Sequence, residues 1–282
     1  MFKNFFVVTG LLFVLSSCQK EAMMHTHDMG NTTAGVSGME TERSSSGTTY
    51  YGNKIRLGMG QIRTYVNLNS QGKPVDVGIE FSESAINTVD MPMKHTAMHD
   101  MSYDLRFHPN ATKDLPYDHV SLDWATMGHG PEGVYDVPHF DVHFYMISSM
   151  KQMDIITDRQ YPVGPEAFTF KGPSTIPLSY FPGPFVEMMG THWISKDEFG
   201  NLMSGREVFK HTFIYGTHED ELIFLEPMIT LETLRSKQNI VKDIDQPNQY
   251  PIANRYYATQ YGITYNSKTR MHRVSLLGNL PR

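Results

Sequence analysis

Thiol chemistry is nearly absent from this chain: Cys18 is its one cysteine. That excludes a disulfide framework and any cysteine-rich zinc or iron–sulfur site. Long apolar runs are also missing. The best, Phe5 to Leu15, is eleven residues interrupted by Thr9 and Gly10, too short to span a bilayer. Positive charge is not in excess, with 24 Lys and Arg against 30 Asp and Glu. The chain therefore lacks the electrostatic footprint of a nucleic-acid partner. There is no Gly-x-Ser-x-Gly elbow, no glycine-rich phosphate loop and no His-Glu-x-x-His helix. Nucleophilic acyl transfer, nucleotide hydrolysis and zincin chemistry lose their usual sequence support.

What is present describes a folded chain: 282 residues, 40% hydrophobic and 12% aromatic, enough for one substantial core or two small ones. Methionine and histidine stand out, at 19 and 13. The first residues give the cysteine a purpose. Lys3 supplies a positive start, the apolar run follows, and Leu15-Ser16-Ser17-Cys18 resembles a bacterial lipobox, in which the cysteine is acylated. Residues 1–17 then read as a lipoprotein signal peptide, 18–48 as a flexible tether rich in Ser, Thr, Gly and Met, and 49–282 as a single β-rich domain. The expected partner is a membrane, reached through lipid on Cys18. Gln19 after the cysteine fits the outer membrane of a bacterial cell envelope. An ordinary secretory signal followed by an incidental buried cysteine is the alternative.

Hydrophobic alternation dominates the rest. Ile62, Thr64, Val66 and Leu68, a turn at Asn69–Gly72, then Val75, Val77, Ile79 and Phe81 predict a hairpin. Val120, Leu122 and Trp124 predict another strand, and Phe140, Val142, Phe144 and Met146 alternate against His139, Asp141, His143 and Tyr145. Ser149 and Gln152 fit a capping box with Met150, Met153 and Ile156 on one side. The segment 161–190, with six prolines, reads as a long ordered loop. Phe209–Tyr215 and Leu222–Leu225 form a hairpin around Gly216–Glu219, and Thr230 caps a helix to about Val241. Tyr257–Tyr265 and His272–Leu276 close the chain as β. The fold class is mainly β (α+β), a single antiparallel sheet or barrel-like domain with a few short helices and a proline-rich loop.

Chemistry concentrates between Gly128 and Tyr145. On a strand, His139, Asp141 and His143 share one face, neighbours about 6.5–7 Å apart. Such a row is costly to bury unless paired or bound to a cation. His139 and His143, about 13 Å apart, do not readily share one ion, so Asp141 pairs with one or the other. The candidate metal ligands are His129 in a Gly-Pro loop, His139, His143, His192 on a turn after the proline-rich segment, and Glu226 ending a strand. Asp141, Tyr145 and His211 are candidates for orienting those ligands. Zinc, iron, manganese and copper all suit such donors. A histidine–aspartate hydrogen-bond network that merely orders loops is the competing reading. Asp123 and Glu187 are lone carboxylates beside bulky neighbours and read as pairing residues or as general acids or bases. Segment 91–101, with four methionines and two histidines, matches Cu(I)-handling or simple core filling.

Pro138-His139-Phe140-Asp141-Val142-His143-Phe144-Tyr145 resembles the Pro-His-Phe-Asp-Phe-His-Phe-Tyr signature of an uncharacterised bacterial secreted family, a domain of unknown function. Leu122-Asp123-Trp124, Gly128-His129-Gly130-Pro131, Met189-Gly190-Thr191-His192-Trp193, Thr212–Gly216 and Phe224-Leu225-Glu226-Pro227-Met228-Ile229-Thr230 accompany it in order. Ala125-Thr126-Met127 departs from the family's Asn-Pro-x. The resemblance implies a shared site at His129, His139, Asp141, His143, His192 and Glu226 but no reaction. The function expected is therefore a lipid-anchored envelope protein binding a transition metal or small ligand. A metal-dependent enzyme of hydrolase or oxygenase type, and a non-catalytic structural lipoprotein, are the alternatives.

Overall fold

A computed structural model describes residues 38–91 and 101–282. The expected signal peptide, Cys18, most of the tether and positions 92–100 of the Met/His segment lie outside the described residues. The chain opens with strands β1 (Glu40–Ser44), β2 (Gly47–Tyr51), β3 (Ile55–Leu57), β4 (Gly60–Asn69) and β5 (Pro74–Ser82), then helix α1 (Glu83–Thr88). Strands β6 (Met101–Arg106), β7 (His119–Ala125) and β8 (His139–Tyr145) follow. Next come α2 (Ser149–Met153), α3 (Pro165–Thr169), β9 (Tyr180–Val186), β10 (Gly190–Ser195) and α4 (Lys196–Met203). The remainder is β11 (His211–His218), β12 (Glu221–Thr230), α5 (Leu231–Arg235), β13 (Ile240–Asp243), β14 (Tyr256–Tyr257), β15 (Gln260–Asn266), β16 (Met271–Leu277) and β17 (Leu280–Pro281).

The mainly β class with short helices is what the alternation implied. The strands divide among three antiparallel sheets. One runs β1-β2-β4-β5-β16-β15-β13 with β3 beside β4, the second β6-β7-β8-β12-β11-β10-β9, and β14 pairs β17. Neither large sheet closes into a barrel; each keeps two edges. The two pack face to face. Ile62, Val77, Ile79, Phe81, Val274 and Leu276 of the first sheet share a buried cluster with Val120, Leu122, Trp124, Phe140, Val142 and Phe144 of the second. Phe81 and Phe140 meet across the interface with ring centroids 5.2 Å apart.

The second sheet also carries a core on its other face. Tyr145, Ile214, Phe224 and Met228 pack there beneath Val134, Tyr135, Ile155, Ala167, Phe181 and Phe209. All seven residues of β8 are therefore buried, including His139, Asp141 and His143. Burial on both faces is normal for an apolar central strand; here one face is ionisable.

The hairpins β4–β5 and β15–β16 form as expected. Other expectations shift. Strands β1 and β2 begin inside the segment read as tether, so regular structure starts before residue 49. Ser148, not Ser149, caps α2, accepting from Lys151 N, and Met150, Met153 and Ile156 are exposed. The β11–β12 turn falls at Glu219-Asp220, both at positive φ. Thr230 does cap α5, but the helix stops at Arg235, and Lys237 turns at φ 56° into β13. The proline-rich segment contains α3 and β9. Pro182 and Pro184 are tolerated in β9 because it is an edge strand with no ladder to donate to on one side.

Candidate metal centre

Register places the site before any side chain is considered. Asp123 of β7 lies opposite Asp141 of β8, and Ser121 opposite His143. On the other side of β8 the ladder runs Phe224 to Tyr145 and Leu225 to Phe144, then resumes at Met228 to Asp141. The interrupted stretch is Glu226-Pro227. Proline in a central strand cannot donate a ladder hydrogen bond, so β12 is loosened where Glu226 comes alongside His143. Two strands further, His192 of β10 pairs with Gly216 of β11, which pairs with Phe224. The β9–β10 register shifts opposite His192: Thr191 pairs with Phe185 and Trp193 with Pro182, so the extra residue is on β9, at Gly183-Pro184, a bulge in the edge strand. His192 thus stands on a strand, not on the turn expected of it.

His129 arrives from the 126–138 connection. Its backbone N donates to Tyr135 O (3.1 Å), closing the loop on itself. Gly128 takes φ 74°, and a Cβ there would sit 2.2 Å from Tyr135 O, so only glycine fits this crossing. Tyr135 anchors the loop edge-on against Phe209, centroids 4.9 Å apart.

The donors fall into two groups. In the first, His129, His139 and Asp141 each offer an atom, all within 4.8 Å of one another; in the second, His143, His192 and Glu226 do the same. Asp141 Oδ1 lies 3.1 Å from His139 Nε2, and Oδ2 lies 3.4 Å from His129 Nε2. Glu226 Oε1 lies 3.5 Å from His143 Nε2, and Oε2 lies 3.7 Å from His192 Nε2. Donor atoms about 2.0–2.2 Å from a tetrahedral ion stand about 3.3–3.6 Å apart. The observed carboxylate–imidazole spacings bracket the edges of such a coordination polyhedron, and the longest exceeds a hydrogen bond.

Tautomers reinforce this. His139 Nδ1 donates to Val137 O (2.6 Å), His129 Nδ1 to Gly130 O (3.0 Å) and His192 Nδ1 to Pro184 O (3.3 Å). A carbonyl can only accept, so each neutral ring turns a bare Nε2 toward a carboxylate. His143 Nδ1 instead faces Asp123 Oδ2 at 3.2 Å, the carboxylate–histidine arrangement that orients metal ligands. Twelve buried side-chain N and O atoms among the described residues lack hydrogen-bond geometry to any partner. Six of them are here: Asp123 Oδ2, His139 Nε2, Asp141 Oδ1, both nitrogens of His143 and Glu226 Oε2. Orphaned buried polar atoms cost about 1–3 kcal/mol each, and Asp123 directly opposite Asp141 adds a like-charge pair. A cation relieves both.

The electrostatics follow. Burial opposes the charged form of His129, but the Asp141 carboxylate outweighs it and raises its pKa to about 9. His143 is likewise raised to about 9, burial being overcome by Glu226 and Asp123. Asp141, though buried, is held well below the usual carboxylate range by His129 and His139. Burial raises Glu226 to about 8 despite the attraction of His143. Burial and the positive charge of His143 lower His192 to about 3.

All five expected ligands are thus in the two groups, and Asp141 joins them as a donor. His139 and His143 fall in separate groups, as strand geometry required. Tyr145 supports by packing, its ring stacked on His143 at 5.8 Å. His211 is a correction. It shares its face of β11 with Phe213 and Tyr215, turns to the inter-sheet core and sits with Nδ1 2.8 Å from Tyr261 Oη. Burial lowers its pKa to about 4. Asp123, read from sequence as a lone carboxylate, is the residue whose role was missed. Its signal was its place between Leu122 and Trp124, on the face opposite their apolar row.

A family model described as TTHB210-like, hypothetical protein TTHB210, matches residues 69–124. That similarity to an uncharacterised family runs from the end of β4 to Trp124. It includes Asp123 but stops before His129 and the β8, β10 and β12 motifs. No curated protein and no solved structure matches the chain.

Proposed function

We propose that this chain binds transition-metal ions through His129, His139, Asp141, His143, His192 and Glu226, in a domain tethered by lipid on Cys18 to the bacterial cell envelope, at the outer membrane. The observation that carries the metal reading is the set of Nε2–carboxylate spacings of 3.1–3.7 Å, three of them on rings whose Nδ1 is committed to a carbonyl. Mixed imidazole and carboxylate donors favour zinc, iron or manganese over Cu(I), which prefers thioethers. The address rests on the apolar run and Leu15-Ser16-Ser17-Cys18. Elemental analysis of protein purified without added metal tests the first part: stoichiometric metal that is reduced on His143→Ala supports it. No metal, with His143→Ala indifferent, leaves a histidine–carboxylate network as the account. Membrane fractionation of Cys18→Ser tests the second, the variant being expected in the soluble fraction.

A metal-dependent enzyme is the second reading, favoured by two features. Each group supplies three protein donors, leaving coordination positions for water or substrate, and the His129 side chain is half exposed at 49%. A surface cavity of about 380 Å³ lined by Ser174, Thr175, Asp220 and Tyr250 shares no residue with the donors, so a substrate would approach past His129.

A further inference from the structure

The six donors do not form one sphere. We infer that the polar face of β8 holds two separately ligated metal ions side by side, one on His129, His139 and Asp141, the other on His143, His192 and Glu226. This deepens the metal-binding reading and rests on it. Each group repeats the same composition, two imidazoles and one carboxylate, with every donor atom within 4.8 Å of its fellows.

Three observations separate the two ions. Both oxygens of Asp141 are engaged within its own group, Oδ1 with His139 and Oδ2 with His129. Both oxygens of Glu226 are engaged in the other, Oε1 with His143 and Oε2 with His192. Each carboxylate thus turns both oxygens toward the imidazoles of its own group. The two histidines of β8, His139 in one group and His143 in the other, stand two same-face steps apart, about 13 Å, too far to share one ion readily. Each divalent ion with its carboxylate keeps one positive charge, and the Asp123 carboxylate, opposite Asp141 and 3.2 Å from His143, lies where it offsets one of the two.

The two ions also differ in access. The first group includes the half-exposed His129, whereas His143 and Glu226 are 2% and 3% exposed. The first ion exchanges with solvent; the second is enclosed.

The test is a Co²⁺ titration of the full chain, stripped of metal and held in detergent, followed by chelator challenge. Expected are two Co²⁺ per chain, leaving in one fast and one slow phase. His129→Ala, in a surface loop, should bind one ion and lose the fast phase. Glu226→Gln, near-isosteric, should bind one and lose the slow phase; circular dichroism checks that both variants fold. One ion in the unsubstituted protein overturns the two-ion inference and leaves the metal-binding reading standing. None overturns both. Loss of both ions in the folded His129→Ala variant means a shared sphere and also overturns the inference.

Discussion

A buried imidazole whose Nδ1 proton is committed to a carbonyl can present at Nε2 only a lone pair or, once protonated, a second N–H. His129 and His139 meet that choice at Asp141. At Glu226, His192 meets it too, while His143, held by Asp123, faces the same carboxylate. Without metal, protons fill the gap. His129 and His143 are raised to about 9 and Glu226 to about 8, so between pH 7 and 9 the folded chain binds more protons than the unfolded one. Stability contributed by these groups is fully present below their unfolded pKa values and is lost as pH rises through the folded ones. His192, lowered to about 3, acts in a different window, costing stability only as pH falls below its ordinary value. The melting temperature of the metal-free protein is therefore expected to drop from pH 7 to 9, as calorimetry would show. Metal affinity should rise over the same window, because the ion displaces those protons. Calorimetric titration in two buffers of different ionisation enthalpy should find protons released on metal binding to both groups. A flat metal-free profile with no proton release would show that the carboxylates do not hold these imidazoles charged.

Strands β8, β10, β11 and β12 bring the second group together, and the position most sensitive to change is one without a side chain. Gly216 lies between His192 and Phe224 in register, and a Cβ there would meet the Phe224 ring at 2.0 Å. That ring packs edge-on against His143 (4.9 Å) and against His192 (5.2 Å). Gly216→Ala should push it into both imidazoles, costing about 1–3 kcal/mol by overpacking, roughly 2–12 °C in melting temperature, and about 10–100-fold in metal affinity. Gly200 of α4 has open space around it; Gly200→Ala should instead stabilise by up to about 1 kcal/mol and leave metal binding unchanged. Thermal melts and metal titrations of the two variants check the contrast. What made β4, β5, β8, β15 and β16 legible in the sequence was period-two alternation, a local signal. The same alternation separated His139 from His143. Less local features escaped it. Strand β9 was hidden by prolines that only an edge can tolerate. The end of α5 depended on Lys237 adopting positive φ, which no propensity marks. His192 was legible as a ligand but not as a strand residue, and Asp123 gained its role only through the β7–β8 register. His211 sat in an alternating strand whose polar and apolar faces sequence alone could not assign.

Across the whole molecule, β8 is the shared wall of two cores. Phe140, Val142 and Phe144 seal the interface between the sheets, while His139, Asp141 and His143 point into the smaller core under the loops. The donors come from chain positions as far apart as His129 and Glu226. An unfolded chain does not hold them together, so metal-binding energy becomes folding stability. At a free-ion concentration about 100-fold above Kd, each ion adds about 2.7 kcal/mol, or roughly 5–11 °C for a domain of this size. The two faces of β8 can then be separated experimentally. Phe140 contacts Trp124 at 4.6 Å and Phe81 at 5.2 Å between centroids, with its side chain on the face of β8 opposite the donors. Phe140→Ala should cost about 3–5 kcal/mol with and without metal, while keeping the full metal-induced rise in melting temperature. His143→Ala should show the reverse pattern, with the rise reduced by the share of the ion it loses. Melting curves of both variants with saturating Zn²⁺ and with chelator decide the matter. If Phe140→Ala also abolishes the metal increment, the two cores are not independent, and the site is organised by the sandwich as a whole instead of by the strands and loop that carry its ligands.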